Sequence, residues 1–194
     1  NTRMDTEVPR IHLLSNGLYH VHMNQPGTGY SAWRDLAITR WAGDATRDAD
    51  GSHCYLRDVE SGRFWSATWQ PCGGASADCS ATFSQARAEF RRTDHGIECE
   101  TTVAVSAEDD IELRRVRMTN RSSRPRTLEI TSYAELALAD RDADAAHPAF
   151  SKLFVQTEVL PELDSVLASR RPRAQDEANP WLLHQMTVRG AAPG

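Results

Sequence analysis

The amino-acid sequence predicts an all-β fold in which antiparallel strands form two packed sheets. Short segments in which apolar and polar residues alternate with a period of two recur along the chain, as expected for strands with one buried face. Clusters of Gly, Pro, Asn, Asp and Ser, the typical composition of turns, separate these segments. A helical period of three to four residues is found only weakly, over residues 162–168. Together these observations indicate a sandwich of antiparallel sheets.

Four strands are predicted in the first part of the chain. They cover residues 18–23, 36–41, 53–58 and 63–68. Gly and Pro mark a turn at 25–29, and a polar loop spans 43–52. The turn at 60–62 joins the last two of these strands into a hairpin.

The rest of the chain continues the pattern, in part with longer strands. These are predicted at residues 80–83, 86–92, 97–105, 111–119, 127–138, 154–158, 165–169 and 181–188. The doublet of Arg114 and Arg115 suggests a β-bulge, and residues 71–78, 120–125 and 140–148 read as irregular connections. We expect a single domain over residues 11–190, with tails at 1–10 and 191–194.

Composition and charge exclude several classes of protein. The chain has 194 residues, of which 40% are hydrophobic and 25% charged, and its formal net charge is −5. The basic residues are scattered arginines with Lys152 as the one lysine, so no nucleic-acid partner is expected. No apolar run approaches the roughly 18 residues of a membrane span, and the start of the chain lacks a signal-peptide pattern. We therefore expect a soluble chain that does not itself lie in a membrane.

No metal, cofactor or redox centre is predicted. The four cysteines lack a CxxC pair and are expected to be free, with a disulfide between Cys72 and Cys79 as the alternative. His20 and His22 lie two apart on one strand and face the same side, where His12 could be a third ligand. No further ligand follows at a recognisable spacing. Residues 48–51 and 140–144 resemble fragments of calcium loops, but the second departs from the glycine and glutamate positions of a complete loop.

The sequence predicts no catalytic residue. Four carboxylates lie in loops or strands where they could meet a substrate, but nothing marks one as a proton donor with a raised pKa: Asp35, Asp58, Glu60 and Asp94.

The strongest candidate for a binding site is the stretch of residues 27–71, which holds four of the five tryptophans. An aromatic ring can cover the apolar C–H face of a sugar, and neighbouring Arg, Asp or Gln side chains can bind its hydroxyls. The predicted substrate contacts are Tyr30, Trp33, Arg34, Asp35, Trp65, Trp69 and Gln70. Trp65 and Trp69 lie four apart, so in one continuous strand they would form a single aromatic platform. Burial of these rings in the core is the equal alternative.

Several blocks of residues, in the same order, resemble the family 94 glycoside phosphorylases, which include cellobiose and chitobiose phosphorylases. The first blocks are Gly-Thr-Gly-Tyr-Ser from Gly27, Trp-Arg-Asp-Leu from Trp33, Tyr-Leu-Arg-Asp-Val-Glu-Ser-Gly from Tyr55 and Trp65 to Pro71. Residues 108–120, 131–135 and 146–158 resemble the phosphorylase-like region of bacterial cyclic β-1,2-glucan synthases. The resemblance covers nearly the whole chain.

The resemblance implies a β-supersandwich domain, of galactose mutarotase-like fold, that precedes a linker and an (α/α) barrel. In these enzymes the barrel carries the catalytic acid and the phosphate-binding residues. A loop of the sandwich reaches the active site of a second subunit with a Gln-Arg pair, where this chain has His147 and Pro148. The positions implied for substrate contact in this loop are His147, Phe150, Ser151 and Lys152.

The resemblance also implies a parent protein that is a bacterial inner-membrane enzyme making cyclic β-1,2-glucan from UDP-glucose, with this domain on the cytoplasmic side. We therefore predict a non-catalytic carbohydrate-binding and scaffolding domain of a cyclic β-1,2-glucan synthase or a related β-glucan phosphorylase. Its partners would be a β-glucan oligosaccharide, its own downstream barrel and a second subunit. The alternative is a structural module for docking and dimerisation that binds no sugar.

Overall fold

The computed structural model describes residues 10–42, 50–74, 78–172 and 179–190. Within these ranges the chain is mainly antiparallel β-structure, which confirms the predicted fold class. The first strands are β1 (Ile11–Ser15), β2 (Tyr19–Asn24), β3 (Gly29–Trp33), β4 (Leu36–Thr39), β5 (Ser52–Asp58), β6 (Phe64–Ser66), β7 (Asp78–Ser84) and β8 (Arg87–Asp94). The later strands are β9 (Ile97–Val105), β10 (Glu112–Asn120), β11 (Leu128–Ala134), β12 (Leu136–Asp140), β13 (Val155–Leu160), β14 (Ser165–Arg170) and β15 (Trp181–Gln185).

Two short helices and two 3₁₀ helices interrupt the later strands. They are α1 (Arg141–Ala146), α2 (Pro148–Ser151) and the 3₁₀ helices Lys152–Phe154 and Pro161–Leu163. Residues 1–9 of the predicted tail 1–10, the predicted tail 191–194 and most of the predicted loop 43–52 lie outside the described residues. The domain limits of 11 and 190 therefore stay a prediction.

Hydrogen bonding divides these strands among four sheets. The five-stranded sheet has the order β1-β2-β3-β4-β12, and the four-stranded sheet has the order β10-β9-β8-β7. The β5 sheet has the order β11-β5-β6, and the C-terminal sheet has the order β13-β14-β15. The hairpin predicted around residues 60–62 is confirmed, because β5 pairs with β6 in antiparallel register.

The four-stranded sheet supplies both hydrophobic clusters of the core. Phe90 and Val103 belong to a cluster with Val21 of the five-stranded sheet. Farther along β9, Ile97 belongs to a second cluster with Leu56 of the β5 sheet. Because alternate residues of a strand point to opposite faces, the residues of β2 between the buried ones point outward, away from the first cluster.

Two strands of the structure lack the alternation that predicts strands from sequence, and one predicted strand is divided between two sheets. β1 is an edge strand with apolar residues on both faces, and β3 is built largely of small residues, so neither shows a clear period of two. The predicted strand 127–138 breaks at Glu135: Leu128–Ala134 pairs with β5, whereas Leu136–Asp140 pairs with β4 in another sheet. The backbone carbonyl of Glu135 accepts a hydrogen bond from the Arg40 N–H at 2.8 Å.

Three local predictions are wrong. The register of β10 with β9 runs without interruption from Glu112 to Asn120, so there is no bulge at Arg114 and Arg115. The predicted loop 140–148 contains helix α1, which begins because the Asp140 carboxylate accepts a hydrogen bond from the Ala143 N–H at 3.0 Å. The weak helical period at 162–168 corresponds to the end of a 3₁₀ helix followed by strand β14.

Candidate functional site

A cleft of about 190 Å³ opens on the outer face of the five-stranded sheet, opposite the core. Val21 is buried in the core, so its neighbours His20 and His22 point outward. The strand register places Tyr30 directly opposite His22. The charged and aromatic residues that line this cleft are His20, His22, Tyr30, Arg34, Asp35, Arg40, Trp41, Arg141 and Asp144.

Three of these rings form an aromatic stack, defined as His22, Tyr30 and Trp41. The His22 and Tyr30 ring centres lie 4.4 Å apart at 12°, so His22 covers one face of Tyr30. The Tyr30 and Trp41 ring centres lie 5.3 Å apart at 27°. The guanidinium carbon of Arg141 lies 4.5 Å from the Tyr30 ring centre and 4.4 Å from that of Trp41. Trp41 is 49% exposed, whereas His22 and Tyr30 are half-buried, so Trp41 is the most exposed ring of the stack.

Arg40 and Asp144 line the cleft and form a buried ion pair. Arg40 donates from Nε to Asp144 Oδ2 at 2.7 Å and from Nη2 to Oδ1 at 2.8 Å. Burial raises the pKa of the Asp144 carboxyl, but hydrogen bonds from Arg40 and Ser151 outweigh it, so the net pKa is below its usual range. Asp144 is thus held as a carboxylate and has no proton to donate near neutral pH.

The pKa of the His22 imidazole lies below its ordinary value. Burial lowers this pKa, and the nearby His20 and Arg141 lower it further. These surroundings favour the uncharged ring in the stack, beside the positive charge of Arg141.

Three of the residues predicted as substrate contacts meet in this cleft: Tyr30, Arg34 and Asp35. Arg34 and Asp35 form the two-residue connection between β3 and β4 and are both exposed. Arg34 places its guanidinium 4.5 Å from the ring centre of Trp33. Trp33 itself packs against the first hydrophobic cluster, and its Nε1 donates to the Asp110 carboxylate. Trp33 therefore does not line the cleft.

The predicted platform of Trp65 and Trp69 is wrong. Strand β6 ends at Ser66, so the two tryptophans do not share one strand. Trp65 is 2% exposed within the second hydrophobic cluster, whereas Trp69 is half-buried in the following loop, 5.8 Å from the guanidinium of Arg92. The neighbouring Gln70 N–H donates to the Pro26 carbonyl at 2.9 Å. None of these three predicted contacts lines the cleft.

None of the predicted contacts around α2 lines the cleft, and they differ in exposure. His147, Phe150 and Lys152 are exposed. Ser151 is 3% exposed, and both its carbonyl and its hydroxyl accept hydrogen bonds from Arg170. In this conformation Ser151 holds the segment in place and is not available to a sugar.

The alternative metal and disulfide hypotheses meet contrary geometry. His12 pairs with Met23 of β2 and stacks on Phe83, so it lies on the opposite face of the sheet from His20 and His22. Cys72 and Cys79 are free, so they form no disulfide. Asp140 caps α1 and Asp144 pairs with Arg40, so their carboxylates do not form a calcium loop, and Asp48 lies outside the described residues.

Six of the charged and aromatic residues described in the cleft were not among the predicted contacts: His20, His22, Arg40, Trp41, Arg141 and Asp144. Trp41 has a local signal, because it is an aromatic residue that follows a strand and precedes a polar stretch of sequence. Arg141 and Asp144 have none, because they reach the cleft only through the pairing of β12 with β4.

The fold and the cleft define the class of protein: an antiparallel β-sandwich domain with an aromatic and charged surface cleft. The model of the glycosyl hydrolase 94 supersandwich domain matches residues 1–193, and the chain belongs to this family. The resemblance identified from the sequence blocks is thereby confirmed. In the described part of the chain, no helix has the length and apolar character needed to cross a membrane.

Three relatives illustrate the range of the family. The chain is 38% identical over 175 residues to the cyclic β-(1,2)-glucan synthase NdvB of Rhizobium meliloti (strain 1021), which covers 90% of this chain and 6% of the relative. It is 27% identical over 162 residues to the N,N'-diacetylchitobiose phosphorylase of Vibrio furnissii, covering 81% of this chain and 20% of that one. It is 29% identical over 127 residues to the solabiose phosphorylase of Paenibacillus borealis, covering 66% and 16%. The chain thus spans a small part of each relative.

Proposed function

We propose that this chain is a non-catalytic carbohydrate-binding and scaffolding domain of a cyclic β-1,2-glucan synthase or a related β-glucan phosphorylase. Its cleft binds a β-glucan oligosaccharide, while the sandwich supports a separate (α/α) barrel that carries the catalytic acid. The observation that carries the proposal is the aromatic stack with its exposed Trp41, placed among charged side chains in one cleft. The names of the relatives, a glucan synthase and two disaccharide phosphorylases, support the class of ligand.

The chemistry of the cleft suits part of a glycan chain. A sugar presents an apolar C–H face, which Trp41 can cover, and a rim of hydroxyls, which Arg34, Asp35 and Arg141 can bind. The volume of about 190 Å³ is below the roughly 300–1,000 Å³ of sites that enclose drug-sized ligands. The cleft would therefore hold one sugar residue and leave its neighbours on the surface.

Calorimetric titration with linear β-1,2-glucooligosaccharides tests the proposal. We expect saturable binding that Trp41→Ala weakens at least about tenfold, since that is about 1.4 kcal/mol of lost ring contact. Trp181→Ala is the matched control, because Trp181 is 61% exposed on the C-terminal sheet and its loss should leave affinity unchanged. No binding at millimolar sugar would refute sugar binding, and equal effects of the two substitutions would place it elsewhere.

In the parent protein, this domain would contact other parts of the enzyme. The exposed His147, Phe150 and Lys152 around α2 would face a second subunit or the downstream barrel. The domain would lie on the cytoplasmic side of the bacterial inner membrane as part of a larger membrane enzyme. Protease digestion of intact and inverted membrane vesicles that contain the parent enzyme tests the side, because only inverted vesicles should expose a cytoplasmic domain.

Exposed apolar residues on the C-terminal sheet favour a second candidate, a docking module without sugar binding. Trp181 and Leu183 are 61% and 54% exposed, and they share one face of the sheet because they lie two apart on β15. Exposed apolar surface of this kind is typical of contacts with another domain or subunit. In the full-length enzyme, replacing both with Asp would then disturb assembly and activity, whereas Trp41→Ala would disturb neither.

A further inference from the structure

We infer that Arg40 and Asp144 are positioning residues whose buried ion pair fixes the position of Trp41 relative to Arg141 in the cleft. The inference rests on the proposed function, since it assigns a role within the glycan site. Neither residue needs to touch the sugar. Their effect on binding would come through the two side chains that border them.

The pair joins two segments that are distant in sequence. Arg40 lies between the end of β4 and Trp41, whereas Asp144 lies in α1, the helix that begins with Arg141. The bidentate contact, at 2.7 and 2.8 Å, fixes both the distance and the relative direction of the two segments. It therefore also fixes where the guanidinium of Arg141 meets the Trp41 ring, at 4.4 Å from its centre.

A second set of contacts holds the pair itself. Glu135 accepts a hydrogen bond from Arg40 Nη1 at 3.5 Å and another from Lys152 Nζ at 2.9 Å. Ser151 hydrogen-bonds to Asp144, and Arg170 binds Ser151 from the C-terminal sheet. The α1–α2 segment is thus attached to two sheets: Asp144 binds Arg40, which follows the five-stranded sheet, and Ser151 binds Arg170 of the C-terminal sheet.

Stability alone does not explain a pair of this kind. Both side chains are 7% exposed, and the desolvation of two such charges cancels much of their attraction, so well-packed apolar residues often stabilise a fold equally well. An apolar pair, however, lacks the directionality of two parallel N–H···O bonds. The specific contribution of Arg40 and Asp144 would be the geometry that they impose on the cleft.

The test separates geometry from stability by replacing the pair with apolar residues, Arg40→Met with Asp144→Leu. The matched control makes the same exchange at an exposed ion pair on the β5 sheet, Arg57→Met with Glu129→Leu, whose side chains are 57% and 55% exposed. Glu135→Gln serves as a milder third variant, because Glu135 is 42% exposed and supports Arg40 from outside. The readouts are thermal unfolding, the Trp41 indole N–H signal in NMR, assigned with Trp41→Phe, and affinity for linear β-1,2-glucooligosaccharides.

We expect the Arg40→Met, Asp144→Leu protein to fold, to shift or broaden the Trp41 signal and to bind the oligosaccharide at least about tenfold more weakly. The control pair should change neither the signal nor the affinity. If the double variant does not fold, a shifted Trp41 signal in Glu135→Gln supports the inference and an unshifted one overturns it. A folded double variant with the wild-type Trp41 signal and affinity also overturns it. If the wild-type protein binds no glucan, the proposed function fails, whereas the Trp41 signal still decides the positioning role.

Discussion

At the scale of single residues, the buried side chain of Arg92 binds several backbone carbonyls of the loop that follows β6. Its side chain is 2% exposed, and it donates to the carbonyls of Thr68, Trp69 and Gly73 at 2.7, 2.9 and 2.6 Å. Its Nε also pairs with the Asp94 carboxylate. One buried guanidinium thus takes the place of a strand partner for the loop that follows β6.

We expect Arg92→Met to destabilise the protein by about 3–5 kcal/mol, because it leaves carbonyls without their donor and the Asp94 carboxylate without its partner. The adjacent Arg91→Met is the control: Arg91 is 55% exposed, and its partner Glu98 keeps a second ion pair with Arg121. Its cost should be below about 1 kcal/mol. Urea unfolding of both variants measures the difference, and similar losses would contradict the role assigned to Arg92.

The Asp58 carboxyl makes the stability of the fold depend on pH. Ser61 hydrogen-bonds to the Asp58 carboxylate, and this bond, together with the ion pair to Arg126, outweighs burial and lowers its pKa from 3.8 to about 2. A carboxyl with a lower pKa in the folded state stabilises the fold fully above the unfolded value, and this contribution is lost as the pH falls through the folded value. The window for Asp58 is therefore between about pH 4 and pH 2.

Asp58→Asn should show this window. The amide does not titrate, so the free energy by which the wild-type protein exceeds the variant should be constant above about pH 5 and should shrink as the pH falls toward 2. Urea unfolding at pH 7, 5, 4 and 3 measures this difference. A difference that stays constant down to pH 3 would mean that the Asp58 carboxyl titrates normally in the folded protein.

At the scale of elements, the hairpin of β2 and β3 depends on the close approach of two backbones. Gly29 pairs with Met23 at the start of β3, and a Cβ on Gly29 would lie 1.8 Å from the carbonyl oxygen of His22. This hairpin carries both His22 and Tyr30. The first contact of the aromatic stack therefore depends on a residue without a side chain.

We expect Gly29→Ala to cost at least about 3 kcal/mol of stability, since the strands must separate or the backbone must shift. Gly62→Ala is the control, because Gly62 also has a positive φ, of +69°, but nothing lies within 4 Å of its Cβ position. The strain of its left-handed conformation alone should cost about 1–2 kcal/mol. Chemical unfolding compares the two variants, and equal losses would show that the contact with His22 is easily relieved.

The elements of this fold are predictable from sequence to the extent that each strand has one buried face. The strand predicted at 97–105 coincides with β9, whose residues Ile97, Cys99 and Val103 are buried and meet both clusters. The sheet that a strand joins is harder to predict from sequence, because it depends on pairing with strands that are distant in the chain. Residues 127–138 predict one continuous strand, yet the two halves join different sheets, and the pairing of β12 with β4 reveals the division.

At the scale of the whole molecule, the residues of the cleft are likewise only partly predictable from sequence. Local composition points to Tyr30, Arg34 and Asp35, because a turn with aromatic and charged residues is visible in a short stretch of sequence. Arg141 and Asp144 come from a segment about a hundred residues later, which β12 brings beside β4. The burial of Trp65 is equally invisible, because it depends on packing against β9 rather than on its neighbours in the chain.

The whole molecule is also the scale at which catalysis can be tested. Hydrolysis or phosphorolysis of a glycosidic bond needs a carboxylic acid that keeps its proton near neutral pH beside the scissile oxygen. Among the described residues, two carboxyls line the cleft: Asp35, which is exposed in a hairpin connection, and Asp144, whose pKa is lowered by Arg40 and Ser151. A lowered pKa is the opposite of what a general acid requires.

We therefore expect the chain alone to release no reducing sugar from linear β-1,2-glucan in buffer, and no sugar phosphate when inorganic phosphate is added. Chromatography of the products after prolonged incubation at pH 7 measures this, with a full-length family member as the positive control. Asp35→Asn provides the decisive comparison, because Asp35 is the described cleft carboxyl that is not held in an ion pair with Arg40. Product formation by the wild-type chain that disappears in Asp35→Asn would overturn the non-catalytic assignment and make Asp35 the acid.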